Sequence, residues 1–175
     1  MSSQLTPDPT DPVEQGDAIA DLQPSRQVLR QFRIIFNAVK THFRRIEHES
    51  GLGGAQVWAL SVVAESPGIG VGRLAEVMDI RQPTASNLVR GLVGKGLLRS
   101  ERCGADRRAV SLFATDEARS ILTKVPGPWS GVLPHALDTL DEATLLRMHA
   151  DLGGLIRCLG EPVTTDAANI PLAQL

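Results

Sequence analysis

Residues 71–115 constrain what this chain can fold into more than any other stretch. In the run VGRLAEVMDIRQPTASNLVRGLVGKGLL, Ala85, Leu88, Val89 and Leu92 fall at i, i+3, i+4 and i+7, the stripe of an amphipathic helix. Before it, Leu74, Ala75, Val77 and Met78 give a shorter helix its own apolar face. Asp79-Ile80-Arg81 leaves room only for a tight turn between the two. Helices joined so closely must bury their apolar faces together. Pro83, Ser86, Asn87 and Arg90, flanked by Gln82 and Thr84, then lie on a face with nothing to bury. Lys95-Gly96 predicts the helix end, a cation against the C-terminal dipole followed by a left-handed cap. The next run, LLRSERCGADRRAVSLFAT, has apolar ends around Gly104 and a basic middle. It predicts a β-hairpin with Arg102, Arg107 and Arg108 toward its tip. The expected fold is mainly α with a small β-hairpin wing, a winged helix-turn-helix.

The charge distribution says what such a face meets. The formal net charge is −2, which by itself argues against nucleic acid. Residues 73–108, however, hold eight basic and four acidic side chains, a local +4, whereas residues 1–25 hold five acidic and no basic ones. Residues 26–72 carry six basic against three acidic, and 109–175 four against eight. Cations are thus concentrated on the helix and hairpin that would meet phosphate. Arg81, Gln82, Pro83, Thr84, Ser86, Asn87, Arg90, Arg102, Asp106, Arg107 and Arg108 form the candidate DNA-binding set. Asn87 suits adenine, and Arg90 suits guanine or phosphate. A helix-turn-helix that binds a protein partner is the rival reading, and the arginines of the hairpin speak against it.

The motifs Gln82-Pro83-Thr84-Ala85-Ser86, Lys95-Gly96-Leu97 and Asp106-Arg107-Arg108 follow one another without a gap, and this segment resembles the MarR family of transcription regulators. Leu52 and Gln56 upstream and Thr115 downstream fit the same pattern, and the likeness spans about 24–160. The resemblance implies a homodimer, with the N- and C-terminal helices (24–50 and 116–160) forming a dimerisation region around a winged helix-turn-helix at 53–115. It also implies a short strand before the first short helix that pairs with the wing. In the wing, Asp106 would orient Arg108 in a minor groove. The implied function is a repressor on a palindromic operator, released by a small ligand, with small aromatic acids the commonest class. The ligand would lie between the two lobes, near Phe32, Arg33, Phe36, His42, Phe43 and Trp58. Arg81 departs from the pattern, standing where a capping Ser is usual, at a cost of about 1 kcal/mol.

Around this centre the chain reads as follows. Residues 1–23, with Pro7, Pro9, Pro12 and scattered Asp, are expected to be a disordered acidic tail. A long helix should open at Gln23-Pro24-Ser25 with Ser25 as cap. It would carry Val28, Leu29, Phe32, Ile35, Phe36, Val39, Phe43 and Ile46 as a stripe, and end at Ser50-Gly51. A second helix at 53–66 should bury Val57, Trp58, Leu60, Val63 and Ala64. Thr115-Asp116-Glu117 predicts a helix start, which Pro126-Gly127-Pro128 interrupts and Pro134 constrains again. Thr139 and Glu142 have the spacing of a capping box. It would open a last helix with Leu145, Leu146, His149, Leu152, Leu155, Ile156 and Leu159 on its buried side. In that helix Gly153-Gly154 either admits a close backbone or weakens it. Residues 161–175 form a C-terminal tail whose Ile170, Pro171, Leu172 and Leu175 suffice to dock somewhere.

Catalysis has little support. Nucleophile elbow, P-loop, dinucleotide fingerprint and H-E-x-x-H are all absent, so no enzyme, no catalytic residue, no metal and no cofactor is expected. His42, His48, Glu47 and Glu49 share a helix, but solvated ends of an exposed face explain them better than a metal site. Cys103 lies in the wing beside Arg102, where redox sensing is the alternative to a tolerated surface thiol. Cys158 is expected in the core or a dimer interface. No apolar run approaches the ~20 residues of a membrane span, and the N-terminus lacks a signal peptide's basic start and apolar stretch. The expected location is the cytoplasm, with double-stranded DNA, a second copy and a small effector as partners.

Overall fold

In a computed structural model, residues 23–102, 110–125, 127–160 and 168–174 are described. The chain divides into two compact units, Met1–Phe36 and Asn37–Leu175, and each is treated by itself. In order, the elements are α1 (Pro24–Ser50), α2 (Gly54–Glu65), β1 (Ile69–Gly70), α3 (Val71–Val77), α4 (Gln82–Gly94), β2 (Leu98–Arg102), β3 (Val110–Ala114), α5 (Asp116–Lys124), α6 (Val132–Asp138) and α7 (Glu142–Arg157), followed by a 3-10 turn at Leu172–Gln174. The mainly helical fold with a small antiparallel sheet is the one the sequence predicts.

The core of the second unit is built on α2. Val57, Ala59, Leu60 and Val63 are wholly inaccessible, and the helix is apolar on all sides, as a buried helix must be. Its one buried hydroxyl, Ser61, donates to the Trp58 carbonyl at 2.8 Å and so costs little. Around α2 pack α3, α4, α5, β3 and the 3-10 turn. The stripe Ala85, Leu88, Val89 and Leu92 faces this core as expected, beside Leu74, Ala75, Met78, Leu98 and Leu112. Val77, counted on the apolar face of α3, is instead 44 % exposed. A helix of seven residues has a narrow buried sector, and Leu74, Ala75 and Met78 fill it.

Both ends of the helix pair close by the same device. After α3, Asp79 takes a left-handed conformation (φ 51°). The Ile80 N–H donates to the Ala75 carbonyl at 3.0 Å and the Asp79 N–H to Glu76 at 3.1 Å, the two bonds of a Schellman cap. Ile80 is thereby turned inward and buried. After α4, Gly96 (φ 72°) repeats the motif, with Leu97 N–H to Leu92 O and Gly96 N–H to Val93 O, both at 2.9 Å. The expected Gly96 cap is therefore present, while the Asp79 conformation was not signalled by a glycine.

The sheet has the order β1-β3-β2, all antiparallel, with Ile69 opposite Leu112 and Ser100 opposite the same residue on the other side. This is the expected wing plus the short strand that pairs with it. Its far end, residues 103–109, lies outside the described residues, and so do Cys103, Asp106, Arg107 and Arg108. The same holds for residues 1–22, 126 and 161–167.

Two helix caps were misplaced. Ser25 lies inside α1, whose first turn is closed by the Gln23 carbonyl accepting from Arg26 N–H at 2.8 Å. The start of α7 is capped by Asp141, not Thr139: Asp141 accepts from the Thr144 amide (2.9 Å) and hydroxyl (2.7 Å). These bonds hold the Asp141 carboxyl below its ordinary value. Thr139 instead closes α6, because the break at 126–134 inserts a separate helix there. Finally, α7 buries no residue within this chain, and Leu146, Leu152, Leu155, Ile156 and Leu159 are all exposed. Cys158 is exposed beside them, which leaves the dimer interface of its two expected places. On Gly153 and Gly154 an added Cβ would meet only the Arg157 guanidinium at 3.7–3.8 Å, so no close backbone contact within the described chain requires them.

Thr115 ties the wing to the helix after it. Its amide donates to the Leu97 carbonyl at 3.1 Å, and its hydroxyl shares its proton between the Gly96 and Leu97 carbonyls. The same oxygen accepts from Ala118 N–H at 3.3 Å as the N-cap of α5. Thr115→Ala should destabilise the protein by about 1–2 kcal/mol in urea unfolding, and Thr115→Ser should recover most of the loss.

Candidate nucleic-acid interface

The polar face of α4 is presented as its sequence requires. With Ala85, Leu88, Val89 and Leu92 buried, Gln82, Pro83, Asn87 and Arg90 are exposed, and Thr84 and Ser86 half-buried. Arg81 is the N-cap residue and supplies no side-chain cap bond. Pro83 has no N–H to satisfy, which lowers the cost of that bare end. The amides of the first turn and the positive end of the dipole are left for an anion.

The cations on this surface divide into two sorts. Arg73 pairs with Glu76 at 2.8 Å, and Arg99 with Glu101 at 3.3 Å. Each pair is well exposed and contributes little to stability, but it halves the pull on phosphate. Arg90 and Lys95 meet neutral amides instead. Arg90 Nη1 donates to Asn87 Oδ1 at 3.0 Å, one helical turn apart. Lys95 Nζ donates to Gln56 Oε1 at 3.2 Å, reaching across from α4 to α2. Their full charge remains for a partner.

The Asn87–Arg90 bond has a chemical consequence. With one lone pair of its oxygen engaged, the Asn87 amide keeps a second lone pair and its N–H donors for a partner, alongside the donors of Arg90. A bidentate contact to adenine needs both a donor and an acceptor from the amide.

Gln56 shows what Gly91 is for. A Cβ at Gly91 would lie 3.3 Å from Gln56 Nε2, so the glycine makes room for the α2 side chain that holds Lys95. At Gly94 a Cβ would meet nothing. Arg102 forms the last rung of the hairpin ladder opposite Val110. With Asp106, Arg107 and Arg108 outside the described residues, the geometry here assembles only the α4 part of the set.

The expected ligand residues separate. Phe43 and Trp58 line a cavity of about 250 Å³ together with Met78, Asp79, Ile80 and Pro134. His42, beside them, is buried, and its Nε2–H donates to the Pro128 carbonyl at 3.0 Å, with the ring set edge-on to Phe43. Phe32, Arg33 and Phe36 belong to the first unit, where Phe32 and Phe36 stack at 6.1 Å and Phe36 is 63 % exposed. Sequence reasoning missed the other wall, residues 168–173; its signal was the apolar Ile170-Pro171-Leu172. No group of His, Cys, Asp and Glu among the described residues could hold a metal ion.

A helix pair with one face in the core and the other bare, followed by a three-stranded wing, defines a winged helix-turn-helix protein. Residues 50–109 match the family model described as MarR family. Solved structures similar to the chain include a MepR-like protein complexed with pseudoligands, at 16% identity over 77% of this chain and 97% of that one (TM-score 0.54). A second is S. aureus MepR bound to DNA, at 20% identity over 74% and 96% (TM-score 0.52). A third is Streptococcus pneumoniae FabT in complex with DNA, at 17% identity over 78% and 97% (TM-score 0.50). Comparison with curated proteins found no match. The central stretch of the chain, residues 50–109, is thus similar to the MarR family.

Burial is the main cause holding the His42 pKa below its ordinary value; the Pro128 bond opposes it, and the charge of Arg45 adds to the lowering. The folded state therefore favours the neutral ring. Stability from this residue is complete above the unfolded value of about 6.5 and is lost as pH falls through the lower folded value. Urea unfolding should show stability dropping as the pH is taken below about 6.5. The drop should be smaller in His42→Gln, which keeps a donor but does not titrate.

Proposed function

We propose that the chain acts in the cytoplasm as a homodimeric repressor that binds a palindromic operator and is released by a small ligand. One observation carries this reading: α4 is anchored by a buried stripe while Gln82, Asn87 and Arg90 stand exposed on its other face. Such a helix fits a major groove, with phosphates taken by Lys95 and the bare N-terminus. Two of the similar structures hold DNA. The wing residues Asp106 and Arg108 enter through the family resemblance of their motif, as a minor-groove contact.

The exposed apolar faces support the dimer. On α1, Val28, Leu29, Ile34, Ile35 and Phe36 are all exposed, and on α7 so are Leu146, Leu152, Leu155, Ile156 and Leu159. Leaving such side chains in water forgoes roughly 1.5–3 kcal/mol each relative to burial. A second copy would cover them in a symmetric interface. Light scattering at micromolar concentration should give a dimer, and Leu152→Glu with Leu159→Glu should give a monomer with weakened operator binding. A native monomer would rule out the dimer.

The cavity lining bears on the ligand. Among the described residues its one ionisable side chain is Asp79 and none that lines it is a cation to receive a carboxylate. This favours an uncharged or cationic apolar ligand over an aromatic acid.

The DNA reading is tested by selecting bound sequences from random duplexes, where an inverted repeat is expected. Asn87→Ala should relax preference at one or two operator positions by roughly 1–3 kcal/mol. Arg108→Ala should weaken binding to most sequences and make the salt dependence shallower. A salt slope and affinity unchanged in Arg108→Ala would remove the wing from the interface.

A further inference from the structure

Residues 168–173 sit where a ligand would. Ala168, Ile170, Pro171, Leu172 and Ala173 form one wall of the cavity whose other walls are Phe43, Gly54, Trp58, Met78, Asp79, Ile80, Ser130 and Pro134. Pro171 is buried, and Leu172 and Ala173 are half-buried. The fit is close. A Cβ placed on Gly54 would clash with the edge of the Phe43 ring and lie 2.9 Å from the Ala173 Cβ, so this glycine at the start of α2 leaves the space that Phe43 and the segment share. Asn169 continues the contact onto the helix-turn-helix, lining a second cleft with Gly72, Asp79, Arg81 and Gln82. One short segment therefore touches α2 on one side and the turn leading into α4 on the other.

The remaining space is what makes this more than packing. With the segment seated, the cavity measures about 250 Å³, below the ~300–1,000 Å³ of ordinary small-molecule sites. The side chains of Ile170 and Leu172 are of the size and polarity that a small apolar ligand would bring. We propose that residues 168–173 are a built-in occupant of the Trp58 cleft, which an apolar, uncharged ligand must displace. This rests on the reading that the cleft receives the effector. Because the same segment borders Asp79, Arg81 and Gln82, its release frees the turn that orients α4. Ligand entry is thereby linked to the pose of the recognition helix, through a chain element that competes for the site.

Competition of this kind lowers apparent affinity by the fraction of time the site is open. The test uses the full chain in a Trp129→Phe background, so that fluorescence reports Trp58, with the neutral probe N-phenyl-1-naphthylamine. Leu172→Ser and Ile170→Ser weaken the occupant; Ile170 is 43 % exposed, so its variant spares the fold even if the other does not. Quenching of Trp58 should show the probe binding both variants about tenfold more tightly than the parent, the factor for a segment seated about nine-tenths of the time. Equal affinity in parent and in the folded variants overturns the proposal, and so does absence of probe binding in all of them. Duplex DNA binding is measured on the same preparations. A parent protein that fails to retain DNA refutes the regulator reading, whereas equal probe affinity with DNA binding intact refutes only the built-in occupant.

Discussion

Most of the second unit depends on the burial of α2. A helix with Val57, Ala59, Leu60 and Val63 wholly inaccessible, and only Gln56, Trp58, Ala64 and Glu65 reaching solvent, requires an apolar surface from most of its neighbours. The neighbours do so in different directions: α3 and α4 on one side, β3 and α5 on others, and the 3-10 turn near its start. The pose of α4 is therefore set by what its stripe can reach on α2. Because interiors pack at crystal-like density, a shift of one neighbour is passed to the rest. A change in packing near Trp58 is thereby coupled to the pose of α4.

The polar face of α4 is shaped by bonds that its own stripe does not explain. Gln56, on α2, accepts from Lys95 at 3.2 Å through space left by Gly91, so a cation beyond the helix end is held by the core helix. The Asn87–Arg90 bond of 3.0 Å sets which hydrogen-bonding groups face outward. Arg73 and Arg99 are partly neutralised by Glu76 and Glu101. Net charge over a sequence window thus overstates the cationic surface. The distribution among carboxylate partners and neutral amides decides which cations can meet phosphate.

The two ends of the described chain contrast with this centre. In α7 no residue is buried, although its leucines repeat at helical spacing, and the first part of α1 is similar. A helical apolar stripe states that something must cover it, without stating whether that is the same chain or another. In contrast, Ile170-Pro171-Leu172 has no periodicity at all and is nevertheless packed against α2. For so short a segment, shape against a specific hollow matters more than pattern.

By itself the sequence determined the helix pair, its buried stripe, the Gly96 cap and the strands of the hairpin, because each follows from local periodicity or from the φ that a residue allows. It also placed the break at Pro126-Gly127-Pro128, since proline removes a donor. It misjudged Val77 and the Thr139 cap, which depend on how wide a sector each helix buries and on which neighbour arrives. Only the tertiary structure decided that Asp79 takes the left-handed turn, that Gly91 serves Gln56, and that Phe43 and Trp58 share a cleft with residues 168–173 while Phe32 and Phe36 belong to a separate unit. Those are contacts between residues far apart in the chain, and no local pattern encodes the distance between them.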